Sequence, residues 1–146
     1  MRVTYYNAAA ADGEAIALIL SNWIDETSWM PRIHTREQDQ AYGAWLIEVT
    51  DVSVASAEGA VIGFLSRQER EIQALYLAPT ARGQGIGRKL LGFAKEHSDS
   101  LGLWTFQANM RARRFYAQNE FVEDQMTDGL GNDEGLADVH MSWVRD

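Results

Sequence analysis

Apolar residues recur at helical spacing over Ile16, Ile19, Leu20 and Trp23 behind Asp12-Gly13-Glu14, and predict a first helix after a short strand over Arg2 to Tyr6. From Asp25 to Gln40 the period is lost. Pro31 and mixed polarity predict an irregular or briefly helical connection carrying Trp29, Met30 and His34. Three runs rich in β-branched and aromatic residues follow, at roughly Trp45 to Ser56, Ala60 to Arg67 and Glu71 to Leu77. The separators Ala57-Glu58-Gly59 and Gln68-Glu69-Arg70 have hairpin length, which predicts an antiparallel meander. The rest reads as a helix over Gly85 to His97, a strand over Leu103 to Gln107, a helix over Asn109 to Asn119, and strands over Phe121 to Met126 and Val139 to Val144. An acidic, glycine-containing loop, Thr127 to Asp138, joins the last two strands. Antiparallel strands first and a strand-helix-strand crossover second predict an α/β fold: a mixed sheet with helices on both faces.

Without a repeat or a linker-like tract, the 146 residues read as one domain spanning 1–146. No cysteine is present, which excludes thiolate metal sites and cysteine nucleophiles. The longest apolar run, Ala15 to Leu20, is too short for a membrane span, and Asp12 and Glu14 do not suit a signal peptide, so a cytoplasmic location is the expectation. The net charge of -8 disfavours general nucleic-acid binding. Its distribution changes the picture: Arg82 to Arg114 carries +5 and the remainder -13. A local basic centre in an acidic chain suits a small polyanionic ligand beside a surface that attracts cations.

That centre contains Leu75-Tyr76-Leu77-Ala78-Pro79-Thr80-Ala81-Arg82-Gly83-Gln84-Gly85-Ile86-Gly87-Arg88-Lys89. A strand runs into a turn at Pro79, a glycine-alternating loop and an amphipathic helix. Glycines at 83, 85 and 87 let backbone N–H groups approach an anion, and the helix start adds its positive dipole end. A dinucleotide fingerprint would need glycine where Arg88 stands, and a P-loop would need Gly-Lys-Ser/Thr where Arg88-Lys89-Leu90 stands.

Arg82-Gly83-Gln84-Gly85-Ile86-Gly87 resembles the R/Q-x-x-G-x-G/A signature of the GNAT superfamily of acyl-CoA-dependent N-acyltransferases. Leu-Tyr-Leu-Ala-Pro before it resembles the family's strand-four ending, and Asn109, Ala112, Phe115-Tyr116 and Phe121 resemble its second motif region. The resemblance implies a mostly antiparallel sheet splayed between strands four and five. It implies that the Arg82 to Arg88 loop, including Gly83, Gln84, Gly85, Ile86 and Gly87, binds the pyrophosphate of acetyl-CoA as co-substrate. The backbone of Leu75, Tyr76 and Leu77 then pairs with the pantetheine, the Leu77 N–H polarises the thioester carbonyl, Asn109 anchors the pantetheine, and Tyr116 protonates the departing thiolate. Arg88, Lys89 and Arg113 or Arg114 are candidates for the remaining phosphates, with solvated helix-face charges as the alternative.

An amine acceptor must lose a proton before it attacks, so a carboxylate near the thioester is the natural base. Glu71 is the leading candidate: a strict period of two puts it on one pleat side with Gln73, Leu75 and Leu77. Glu69, a water relay, or an idle strand-end glutamate are the alternatives, and His34 and His140 are further acid-base side chains for which a structural role is the usual reading. Where the family commonly has glycine before Phe121, this chain has Asn119-Glu120, and a left-handed Asn119 is expected to end the helix.

The resemblance thus implies an N-acetyltransferase that transfers the acetyl group directly to a primary amine, without metal and without a covalent enzyme intermediate. The acceptor site is expected around Trp29, Met30, His34, the Tyr5-Tyr6 strand and the Thr127 to Asp138 loop. The acceptor is a small amine, polyamine, antibiotic or protein amino group. Neither nucleic acid nor membrane is an expected partner, and homodimers are common in the family. The rival reading is a non-catalytic acyl-CoA-binding or sensing module.

Overall fold

The computed structural model describes residues 2–146. The strands are β1 (Thr4–Asn7), β2 (Asp51–Ala57), β3 (Ala60–Gln68), β4 (Glu71–Leu77), β5 (Ser100–Phe106), β6 (Val122–Thr127) and β7 (Asp138–Val144). The helices are α1 (Gly13–Glu26), α2 (Arg36–Val49), α3 (Ile86–Glu96) and α4 (Met110–Gln118), with 3-10 turns at Ala10–Asp12 and Pro79–Ala81. One sheet holds all seven strands in the order β1-β2-β3-β4-β5-β7-β6, and every neighbouring pair is antiparallel except β4 with β5. Two apolar layers flank it. Leu90 and Leu91 of α3 and Tyr116 of α4 pack against Leu65, Leu103 and Met141 on one face, and Ile16 and Leu46 from α1 and α2 pack against Val54, Phe64 and Ala74 on the other.

The expected strand from Trp45 begins only at Asp51, because Trp45 to Val49 complete α2. A reciprocal cap sets that helix's start: Thr35 Oγ1 accepts from Gln38 N at 3.1 Å and Gln38 Oε1 accepts from Thr35 N at 2.8 Å. Helix α2 then crosses α1 at Gly43, where a β-carbon would lie 2.7 Å from the Gly13 carbonyl oxygen. The β-branched and aromatic content of Trp45 to Val49 therefore yields to the cap and to this close crossing.

Strand β4 also departs from strict alternation. Ser66 faces Ala74 but Arg67 faces Ile72, so Gln73 is the extra residue of a β-bulge. Ile72 accordingly joins Leu75 and Leu77 in the layer under α3, while Ala74 and Tyr76 pack under α1 and α2. Glu71 thus projects on the α1–α2 face with Tyr76, not with Leu75 and Leu77 as uninterrupted pleating predicts.

Two further expectations are corrected. The Tyr5-Tyr6 strand is the sheet edge, separated from β4 by two strands; Tyr5 packs on Phe93 and lies beneath Lys89, whose Nζ is 5.9 Å from the ring centroid. At the end of α4, Asn119 keeps φ -104° and Glu120 takes the left-handed conformation at φ 73°. Asn119 is held where it is by its own amide, which donates to the Phe115 carbonyl at 2.8 Å.

Candidate active site

Strands β4 and β5 meet in register only at Glu71 and Gly102, where Gly102 N donates to the Arg70 carbonyl at 2.8 Å. Beyond that point they part. Ala78 N donates to the Ile62 carbonyl at 2.8 Å, and the register carries that orientation back to Tyr76. The N–H and C=O groups of Leu75 and Leu77 must then point away from β3, into the gap. The Leu77 carbonyl accepts there from Arg82 at 3.3 Å rather than from a strand.

A cavity of about 610 Å³ occupies this gap and runs to the start of α3. Gly83 and Gly85 at its rim have φ 75° and 80°, conformations that favour glycine, and a β-carbon at either would meet no atom within 4 Å. The first bond of α3 is Lys89 N to the Gly85 carbonyl at 3.1 Å, which leaves the amides of Ile86, Gly87 and Arg88 without an acceptor inside the helix. Gly87 serves packing as well: its missing side chain admits the Phe115 ring, 3.4 Å from where a β-carbon would be. Free amides, a helix dipole and the cations Arg88 and Arg111 line the same cavity and suit a polyphosphate, while the Arg82 guanidinium is held by the Glu26 carboxylate of α1 and the Leu77 carbonyl.

Of the residues singled out in the sequence, Leu75, Tyr76 and Leu77 line the strand side of the cavity, and Arg82, Gly83, Gly85, Ile86, Gly87 and Arg88 line the loop side. Asn109 and Tyr116 face it from α4. Asn109 Oδ1 caps that helix by accepting from Ala112 N at 3.1 Å. Tyr116 is buried between the rings of Phe115 and Phe121, at 5.2 and 5.4 Å, and burial pushes its phenol well above the ordinary value. Gln84 lies outside the cavity lining and donates to the Thr80 carbonyl at 2.7 Å. Arg113 is committed elsewhere, to both carboxylate oxygens of Glu123 at 2.7 and 3.0 Å, and Lys89 lies over Tyr5. Arg111 and Trp23 line the cavity without having been marked; only Arg111's place in the basic run foreshadows it.

Glu71 stands at the closed end of the gap, outside the cavity lining and on the opposite face of the sheet. Burial raises its carboxyl above the usual range, and His140 opposes that rise. On the same face Trp29 bridges the two sides of the gap, with its ring 5.9 Å from Trp23 of α1 and 5.9 Å from Phe106 of β5. Among the described residues no cluster of His, Cys, Asp and Glu is arranged to hold a metal ion, and no helix is long and apolar enough to cross a membrane.

A mixed sheet parted at its one parallel pair, with a glycine-edged helix start at the mouth, has the shape and the free backbone groups that suit an extended polyanionic ligand lying between two strands. The sequence model of the Acetyltransferase (GNAT) family matches residues 5–121, and the chain belongs to that family. It is an acyltransferase with acetyl-CoA as co-substrate. A described but uncharacterised N-acetyltransferase of Archaeoglobus fulgidus is 34% identical over 106 residues, covering 60% of this chain and 72% of that protein. The peptidyl-lysine N-acetyltransferase YiaC of Escherichia coli is 28% identical over 119 residues, covering 76% and 80%. In fold, the chain is similar to yncA of Salmonella typhimurium, solved with acetyl-CoA, at a TM-score of 0.78 and 21% identity, covering 100% of this chain and 95% of that one.

Proposed function

We propose that the chain transfers the acetyl group of acetyl-CoA directly to a primary amine. The observation that carries this reading is the parted β4–β5 pair, with unpaired Leu75 and Leu77 amides leading from the α3 start to the closed end. The amides of Ile86, Gly87 and Arg88, with the Arg88 side chain beside them, hold the pyrophosphate, Arg82 joins them by exchanging Glu26 for the phosphate, and Arg111 meets a further phosphate. Leu75, Tyr76 and Leu77 line the pantetheine path, and the free Asn109 amide group anchors it from α4. Leu77 lies at the mouth end of that path, six residues from Glu71, so the Leu75 N–H, the free amide nearer the closed end, polarises the thioester carbonyl in place of the expected Leu77 N–H. Glu71 takes a proton from the ammonium, the freed amine forms the N–C bond, the C–S bond breaks, and Tyr116 gives its proton to the leaving sulfur. Burial raises the phenol, so its proton is in place at neutral pH when the thiolate forms. Glu71 lies on the sheet face opposite α3 and α4, which supports an acceptor arriving from the α1–α2 side, past Trp29.

The 34% and 28% identities to N-acetyltransferases support nitrogen as the acceptor atom, and one of those relatives is described as acting on peptidyl lysine. The -13 balance outside the basic segment favours a cationic acceptor over a neutral one. The test is thiol release from acetyl-CoA across a panel of spermidine, aminoglycosides and lysine-containing peptides. Amine-dependent release is expected. Binding of acetyl-CoA without release from any of them would favour a sensing module.

A further inference from the structure

The α1–α2 face of the sheet holds a cluster of titratable groups that the acyl-donor cleft does not use. Asp124 is the inserted residue of a second bulge, where β6 passes from Glu123 to Gln125 opposite Met141 and His140. Its Oδ1 lies 2.7 Å from His140 Nδ1, and its Oδ2 accepts a hydrogen bond from Ser142 Oγ. Trp104, the register partner of His140 on β5, stands edge-on to the imidazole with centroids 4.9 Å apart. The other ring nitrogen faces Gly102: a β-carbon there would lie 3.0 Å from His140 Nε2 and 3.1 Å from Glu71 Oε2, so at most about 6 Å separates the two atoms. That interval admits one bridging water. Facing the ring, Asp124 on β6 and Glu71 on β4 are the ionisable groups, while β5 offers Gly102 and Trp104, which carry none.

We propose that Asp124 and His140 form the outlet for the acceptor's proton: Glu71 takes it from the amine, and His140 Nε2 carries it from Glu71 to solvent. This rests on the acetyl-transfer reading. An Nδ1–H donating to Asp124 leaves the Nε2 lone pair aimed at Gly102 and Glu71, and the carboxylate steadies the imidazolium once it forms. Two protons leave the nitrogen during transfer. One replaces the proton that Tyr116 gives the thiolate; the other must reach water, and the His140 side chain, 21% exposed, touches both the site and solvent. Gly102 keeps the route open, since any side chain would stand between the two groups. His140 is thus a positioning and relay residue acting through Glu71.

The test begins with imidazole nitrogen NMR on the protein alone. The neutral His140 ring is expected to carry its proton on Nδ1, and Glu71→Gln is expected to shift the His140 Nε2 resonance, because that nitrogen and the Glu71 carboxylate lie a bridging water apart. A proton on Nε2, or an Nε2 resonance indifferent to Glu71→Gln, would overturn the proposal. In thiol release with spermidine or a lysine-containing peptide, His140→Ala should lower kcat about tenfold or more and leave the KM for acetyl-CoA unchanged, with added imidazole restoring the rate. Asp124→Asn should lose less and displace the pH profile. His140→Gln repeats the measurement should the alanine variant fold poorly. Unchanged kcat, or a loss that imidazole does not restore, contradicts the relay. A wild-type protein that releases no thiol counts instead against the transferase reading, while the tautomer and the Nε2 response to Glu71→Gln still decide the relay geometry.

Discussion

In the proposed transfer Tyr116 and Glu71 divide the proton chemistry between the two faces of the sheet, and each lends itself to a substitution that keeps its shape. Tyr116→Phe retains the ring between Phe115 and Phe121 and removes only the phenol. Turnover should fall about a hundredfold while acetyl-CoA affinity, read by calorimetry, changes by less than about twofold. Glu71→Gln removes a carboxyl that burial holds above its ordinary value. Turnover should drop by a similar factor, whereas stability moves the other way. Below the unfolded carboxyl's value of about 4.3, both states carry the proton and the two proteins should melt alike. As pH rises through the higher folded value, the native state bears the cost of an ionised, partly buried group, so Glu71→Gln should melt at the same temperature or above wild type at pH 7.5. A glutamine variant that melts well below wild type would show that the ionised carboxylate holds a stabilising contact instead.

Among the elements, the glycine loop and the α1–α2 crossing carry separable loads. Gly85→Ala forces a left-handed L-residue, a strain of about 1–2 kcal/mol, into space where no protein atom is near. Its expected signature is a modest drop in melting temperature with at least tenfold weaker acetyl-CoA binding. Gly43→Ala drives a methyl against the Gly13 carbonyl and should destabilise by about 1–3 kcal/mol in denaturant melts, with little effect on coenzyme affinity. The same elements show how far the sequence could be read. The loop was legible because its chemistry is local: Gly83 and Gly85 sit where positive φ is needed, between a strand and a helix. Helix α2 was half hidden, because Trp45 to Val49 have strand-like composition and the deciding signals, the Thr35 cap and the Gly43 contact, depend on a partner helix. The bulge at Gln73 was invisible, since an inserted residue is defined by its neighbour strand, and it alone turns Glu71 to the other face. His140 and Asp124, sixteen residues apart, meet only through the β6–β7 register.

For the whole molecule, one sheet separates two environments. The α3–α4 side gathers Arg82, Arg88 and Arg111 around the cavity in a chain of net charge -8, so coenzyme binding should weaken several-fold between about 50 and 500 mM salt as screening shortens the reach of those charges. The opposite side carries Glu71, Asp124 and His140. The gap between β4 and β5 joins the two, and the account stands on its being the place where the acyl donor lies. The most direct measurement is calorimetric titration of the protein with acetyl-CoA, repeated on Gly85→Ala. One site per chain at about micromolar strength or tighter, weakened at least tenfold by the substitution, is the predicted result. No binding at all, or equal affinity in the two proteins, would contradict it.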